Sequence, residues 1–163
     1  MTILAIDPGN TESAFCLMDA KYRPILCDKR ENENVLSVIR NVDLLSRPKT
    51  VVIERVASYG MPVGREVFDT CEWIGRFTEA ALQEGMKTDF LFRLDEKMAI
   101  CHDSRAKDAN IRQALIDRFA RHDKKNGKGT KKDPDWFFGF AADMWAAYAV
   151  GVTWLDRRAQ EHE

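Results

Sequence analysis

Nowhere in this sequence does an apolar run approach the ~18 residues that a membrane span needs. Its four cysteines, Cys16, Cys27, Cys71 and Cys101, include no C-x-x-C pair. That spacing argues against a zinc site and offers no disulfide framework, so a reducing cytoplasm is the expected compartment. No basic segment precedes the first strand-like run, and no signal peptide is expected. Patterns for H-E-x-x-H metalloproteases and serine elbows are absent, "GKGTKK" lacks phosphate-loop spacing, and His102, His122 and His162 show no metal-ligand spacing. Charge of one sign is also lacking: 25 Lys and Arg stand against 26 Asp and Glu, a net charge of −1. Any binding of a polyanion must therefore come from a local basic face.

What is present is the balance of a globular domain, with 45% hydrophobic and 31% charged residues in a chain of 163. We expect one domain over residues 1–157, followed by a short frayed tail, 158–163. Residues 2–7, 12–18 and 24–28 read as strands joined by short turns, an antiparallel meander. Val35, Val38, Ile39, Val42 and Leu45 recur at helical spacing over 33–45, ended by Arg47-Pro48. "TVVIE", 50–54, is the continuous β-branched run of a strand covered on both faces. A loop over 57–64 leads to a helix over about 65–84, with Val67, Phe68, Cys71, Ile74 and Phe77 on its apolar side. "DFLFRL", 89–94, reads as a fifth strand, and Ser104 can cap a helix over 105–121 with a stripe of Ile111, Ala114, Leu115 and Phe119. A polar stretch, 122–135, precedes a nearly all-apolar helix over about 140–157. The order β-β-β-α-β-α-β-α-α predicts an α/β fold, a mixed five-stranded sheet with three antiparallel strands, further parallel strands and helices on both faces.

Three carboxylates fall where a core would reject them. Asp7 and Glu54 end apolar strands, and Asp143 interrupts the apolar "FAADMWAAYA". Each has an ordinary explanation: a turn residue before Pro8-Gly9, an ion pair with Arg55, an acid favoured near a helix N-terminus. Together they fit another arrangement, because neighbouring parallel strands end side by side and a helix start can join them. A lone buried carboxylate costs several kcal/mol or neutralises, whereas three can share Mg²⁺ or Mn²⁺, hard cations that also take phosphate oxygens. A pair of such ions suits phosphodiester cleavage, activating a water and stabilising the leaving oxygen.

The segments "ILAIDPGNTESAF", "VVIERVASYGMPVG", "SRAKDANIRQALIDRF" and "AADMWAAYAVG" resemble, in order over nearly the whole chain, the RuvC family of Holliday-junction resolvases. The likeness is greatest to the small RuvC-like proteins of phages and prophages. It implies a ribonuclease H-like fold and a homodimer, with two Mg²⁺ or Mn²⁺ ions in each active site. It also implies paired nicking of four-way or branched DNA in recombination and repair. Asp7, Glu54 and Asp143 match three of the family's metal carboxylates. The family's acid or histidine one helical turn before the last Asp is here Phe140, and Asp135 or Asp133 is the nearby substitute.

Two segments offer a DNA surface. The helix over 105–121 carries Arg105, Lys107, Arg112, Arg118 and Arg121. The stretch 121–132, "RHDKKNGKGTKK", holds six basic residues against one acid. Lys107 and Lys124, Lys125, Lys128, Lys131 and Lys132 are the candidates for tracking the phosphate backbone; otherwise these charges form a solvated face. After Glu54, the resemblance casts Tyr59 as an aromatic stacking on bases at the junction centre, with Met61 beside it; otherwise Tyr59 packs locally or in a dimer interface. Trp73 and Phe77 belong either to that interface or to the core. Two rival readings stand. One is a junction-binding module with a weakened metal site, and the other an ATP-binding domain of the actin–hexokinase type, suggested by "DPGNT".

Overall fold

The computed structural model describes residues 1–42, 48–122 and 124–161. β1 (Thr2–Asp7), β2 (Glu12–Asp19) and β3 (Pro24–Glu31) form the meander, followed by α1 (Asn32–Asn41), β4 (Thr50–Arg55), α2 (Arg65–Gln83) and β5 (Lys87–Phe92). A short helix, α3 (Arg93–Glu96), runs on into a π-helical turn, Lys97–Cys101; α4 (Asp108–Phe119) and α5 (Met144–Glu161) complete the chain. The sheet has five strands in the order β3-β2-β1-β4-β5. β1 pairs antiparallel with β2 and β2 with β3, while β1–β4 and β4–β5 are parallel. This is the mixed five-stranded sheet that the hydrophobic pattern predicts.

Alternation along the strands divides the core between two faces. Leu4, Ile6, Phe15, Leu17, Val51 and Ile53 pack under α1 and α2, against Val35, Leu36, Ile39, Ile74 and Phe77. Ile3, Ala5, Ala14, Cys16, Met18 and Val52 pack under α4 and α5, against Leu115, Tyr148, Val152 and the buried rings of Phe137 and Phe140. β3 is one edge of the sheet and carries Asp28, Lys29, Arg30 and Glu31, charges that discourage further strand pairing. α5 lies close to the sheet where Gly151 faces Met18; a Cβ there would collide with Met18 Sδ and lie 3.2 Å from Ala5 Cβ.

Several boundaries differ from the sequence reading. α1 ends at Asn41, and Leu45 and Arg47 lie outside the described residues. β5 stops at Phe92 because the Asp95 carboxylate accepts a hydrogen bond from the Phe92 N–H at 2.7 Å, capping a helix that turns Arg93 and Leu94 out of the sheet. α4 begins at Asp108, where Asn110 Oδ1 accepts from the Lys107 N–H. α5 begins at Met144 and continues to Glu161, so the tail from 158 to 161 is helical; residues 162–163, with His162, lie outside the described residues. In α2 the buried face is Thr70, Ile74, Phe77, Ala80 and Ala81, leaving Phe68 60% exposed and Cys71 free and exposed. Phe77 is thus core, and Trp73 packs at the core's margin. Cys16 and Cys27 are cross-strand partners in the β2–β3 register and form a disulfide, a pairing that their sequence spacing does not reveal. Among the described residues, no helix is long and apolar enough to cross a membrane.

Candidate active site at the carboxyl ends of the strands

The parallel register sets Ile6 of β1 beside Ile53 of β4. The next residue of each strand is a carboxylate, Asp7 and Glu54, so the two acids leave the sheet side by side. Arg55 does not neutralise Glu54; its guanidinium lies over the Phe90 ring, 4.1 Å from the centroid. Asp143 comes from the other side of the sequence. It stands just before α5, its carbonyl accepting the Ala147 N–H at 3.1 Å, after a left-handed Ala142 (φ 46°). The sequence reading put Asp143 inside the helix, whereas it caps it.

The turn after β1 is held without any help from Asp7. Gly9 N–H donates to Ser13 Oγ at 3.0 Å, Ser13 Oγ donates to Asn32 Oδ1 at 2.5 Å, and Asn32 Nδ2 donates back to the Gly9 carbonyl at 2.9 Å. Ser13 and Asn32 are both buried, so this closed ring fixes the loop from Pro8 to Glu12. Gly9 is required within it, because a Cβ would collide with the Glu12 carbonyl oxygen. The turn explains Pro8-Gly9-Asn10 and leaves the Asp7 carboxyl group for another use.

The electrostatics of this corner are those of crowded acids. Burial, then the charges of Glu54 and Asp143, push Asp7 from 3.8 up to about 8, with Arg93 opposing. Glu54 is raised chiefly by burial; Arg93 and a hydrogen bond to Glu96 work against the rise. Glu96 is 0% exposed, is raised well above the carboxylate range by burial and then by Glu54, and ion-pairs through Oε2 with Arg93. Arg93 also pairs with Asp108. Lys29 Nζ lies 2.7 Å from Asp143 Oδ2 and 3.8 Å from Glu12 Oε2. A cleft of about 220 Å³ opens here, with Arg93, Asp108, Arg112 and Asp143 in its lining.

Four of these residues, Lys29, Arg93, Glu96 and Asp108, were not among the sequence candidates. Glu96 had a signal in "DFLFRLDE": a third parallel strand followed by an acid. Reading the strand through Leu94 concealed it.

Among the described residues, no three acids, histidines or cysteines are closed into a coordination cluster. Asp143 is engaged by Lys29, and Glu96 and Asp108 by Arg93. The donors nevertheless suit a hard divalent cation. All are carboxylates, and the fully buried Glu96 Oε1 accepts no hydrogen bond from a donor. Glu96 neighbours Glu54, and two such carboxylates need a shared proton or a cation between them.

The other candidates are distributed as follows. Phe140 is buried in an aromatic cluster with Phe137, Trp145 and Tyr148. Asp133 pairs with Lys124 at 2.6 Å, and Asp135 accepts the Trp136 N–H at 2.8 Å; neither is among the charges acting on Asp7 or Glu54. Tyr59 and Met61 are 64% and 70% exposed on a turn with Tyr59 and Gly60 at positive φ. Arg105, Lys107, Lys125, Lys131 and Lys132 are exposed and Lys128 half-buried. Arg112 lies over Trp145, 5.8 Å from the ring centroid. Arg118 is committed internally, forked onto Asp156 and lying over Tyr22.

A mixed sheet of this order, with acids at the ends of its first and fourth strands, defines a ribonuclease H-like fold. No family model and no curated protein matches the sequence. Solved structures match the fold. The RuvC structure of Thermus thermophilus superposes with a TM-score of 0.71 at 15% identity, covering 98% of this chain and 97% of that one. T. thermophilus RuvC in complex with a Holliday junction substrate matches with the same TM-score and identity, covering 98% and 96%. The chain has the fold of RuvC.

Proposed function

We propose that this chain is a divalent-metal-dependent endonuclease that resolves four-way and related branched DNA. The observation that carries the reading is the convergence of Asp7, Glu54 and Asp143, from β1, β4 and the start of α5, on one corner of a RuvC fold. Asp7, Glu54 and Asp143 would hold Mg²⁺ or Mn²⁺, two ions when complete. Bound there, the metal supplies a Lewis acid for activating water and offsetting charge at the scissile phosphate. Asp7 and Glu54 would reach the cation from the strand ends, and Lys29 and Arg93 pair with Asp143, Glu96 and Asp108 beside them. Lys107, Arg105, Arg112 and the lysines of 124–132 position the backbone, and Tyr59, with Met61, stacks on opened bases. A four-way junction is two-fold symmetric, so paired nicks call for two copies of the site, as in a C₂ homodimer. The activity belongs to recombination and repair in a cytoplasm, bacterial or that of a phage's host.

The test is cleavage of labelled four-way junction, replication fork and linear duplex in Mg²⁺ and in Mn²⁺. The wild type cuts the branched substrates and spares the duplex, while Asp7→Asn cuts none. Full cleavage by Asp7→Asn would refute the mechanism. Phe140, an apolar residue where the resemblance calls for an acid, favours a second reading, a junction-binding module; it predicts tight junction binding in Ca²⁺ and no nicking in either metal.

A further inference from the structure

The resemblance leaves the site one acid short at Phe140, and Phe140 is packed into an aromatic cluster. The structure offers a carboxylate from a different element. β5 runs parallel to β4 with Glu54 beside Leu91, and the chain turns into α3 two residues later. That turn brings Glu96 back over the end of β4, where it meets Glu54.

Glu96 has the wrong surroundings for a purely structural acid. It is 0% exposed, only Oε2 is paired, and its partner Arg93 is shared with Asp108. Oε1 is buried without a hydrogen-bond donor, and Glu54 is the acid that neighbours the Glu96 side chain. The neighbourhood holds five carboxyl groups, Asp7, Glu54, Glu96, Asp108 and Asp143, against Arg93, Lys29 and, at the rim, Arg112. Neighbouring buried carboxyl groups can all ionise only with a cation to compensate them, and Arg93 reaches Glu96 through Oε2 alone.

We infer that Glu96 is the fourth carboxylate ligand of this site, supplied by α3 after β5 in place of the acid absent at Phe140. The inference rests on the proposed nuclease reading. Glu96 and Glu54 would hold the cation together, while Arg93 pairs with Glu96 Oε2.

The experiment is Mn²⁺ binding by the full chain, by calorimetry and by electron paramagnetic resonance of free Mn²⁺, with melting temperatures in EDTA and in Mn²⁺. Wild type, Glu96→Gln and Asp7→Asn are compared. Gln keeps the shape and removes the charge. Glu96→Gln should bind Mn²⁺ at least about tenfold more weakly, a loss of ~1.4 kcal/mol, and lose most of the Mn²⁺-induced rise in melting temperature. Its melting temperature in EDTA should stay close to that of the wild type, since Gln keeps the volume and its amide oxygen can still accept from Arg93. Wild-type Mn²⁺ affinity in Glu96→Gln would overturn the inference. If Asp7→Asn has meanwhile lost Mn²⁺, the nuclease reading stands and the role of Glu96 alone fails. A wild type that binds no Mn²⁺ sinks both. Should Glu96→Gln not fold, Glu96→Asp, one methylene shorter, takes its place under the same criterion.

Discussion

At the scale of single residues, Asp7 is held at a cost to the stability of the metal-free fold. Its folded pKa of about 8 lies above the ordinary 3.8, so the metal-free fold holds a proton that the unfolded chain releases. Linkage then gives the sign: the Asp7 contribution to stability is fully present below about pH 4 and is lost as pH rises toward about 8. Asp7→Asn, neutral at every pH, should raise the melting temperature of the metal-free protein near neutrality by about 2–4 °C, the shift expected for ~1 kcal/mol in a chain of this size. The advantage should shrink on acidification. Thermal melts in EDTA across that range check it, and an Asp7→Asn protein less stable than wild type at neutral pH would contradict it. Asp7, Glu54 and Asp143 were legible in the sequence because each is an acid in apolar company. Glu96 was half legible, as an acid after a third parallel strand, but nothing in "RLDEK" shows which acid the fold buries, and nothing there marks Arg93.

At the scale of elements, the pattern of apolar residues specified every strand of the sheet and failed where local capping competes with it. "DFLFRL" alternates like a strand through Leu94, but Asp95 caps the Phe92 N–H and starts α3. Likewise Asp143 sits in an apolar stretch that reads as helix, yet Ala142 adopts a left-handed turn and α5 starts after it. Both misread boundaries fall at the site, where the chain must leave regular structure to aim side chains. The seat of α5 on the sheet can be tested at Gly151, whose missing Cβ allows the approach to Met18. Gly151→Val should destabilise the protein by about 1–3 kcal/mol through overpacking, seen as a lower urea midpoint; an unchanged midpoint would show the packing there to be loose. Removing the Ser13–Asn32 hydrogen bond should act on the neighbouring turn. Asn32→Ala strands the buried Ser13 hydroxyl and the Gly9 carbonyl, which we expect to cost about 1–3 kcal/mol in the same denaturation.

At the scale of the whole molecule, a nearly neutral chain carries a local cluster of acids and, elsewhere, a local basic segment. The carboxylates gather at the ends of β1 and β4, while exposed lysines lie along the segment before α5. Lys124 is held by Asp133, whereas Lys128, Lys131 and Lys132 have no such ion pair among the described residues. Replacing Lys128, Lys131 and Lys132 together by Ala should weaken junction binding and flatten its salt dependence, by up to about one unit of slope for each phosphate no longer neutralised. Lys124→Ala should do less. Titrations at several salt concentrations separate these outcomes, and equal effects would mean that the Lys124–Asp133 pair opens on DNA. Composition announced none of this, because a net charge of −1 conceals a local basic segment. A dimer interface was not legible either, since an exposed Phe68 or Tyr59 can meet a second copy, DNA or solvent alike.

The central claim is that paired, metal-dependent nicks resolve a junction, and a plasmid carrying an extruded cruciform measures it directly. One nick relaxes the supercoil and reabsorbs the cruciform, so linear product forms only when both strands are cut while the complex lasts. The account predicts linear plasmid in Mg²⁺ or Mn²⁺, with symmetric cuts that ligase can seal, and none from Asp7→Asn. An intact cruciform bound tightly in Ca²⁺ but uncut in either metal, or nicked circles alone, would contradict it.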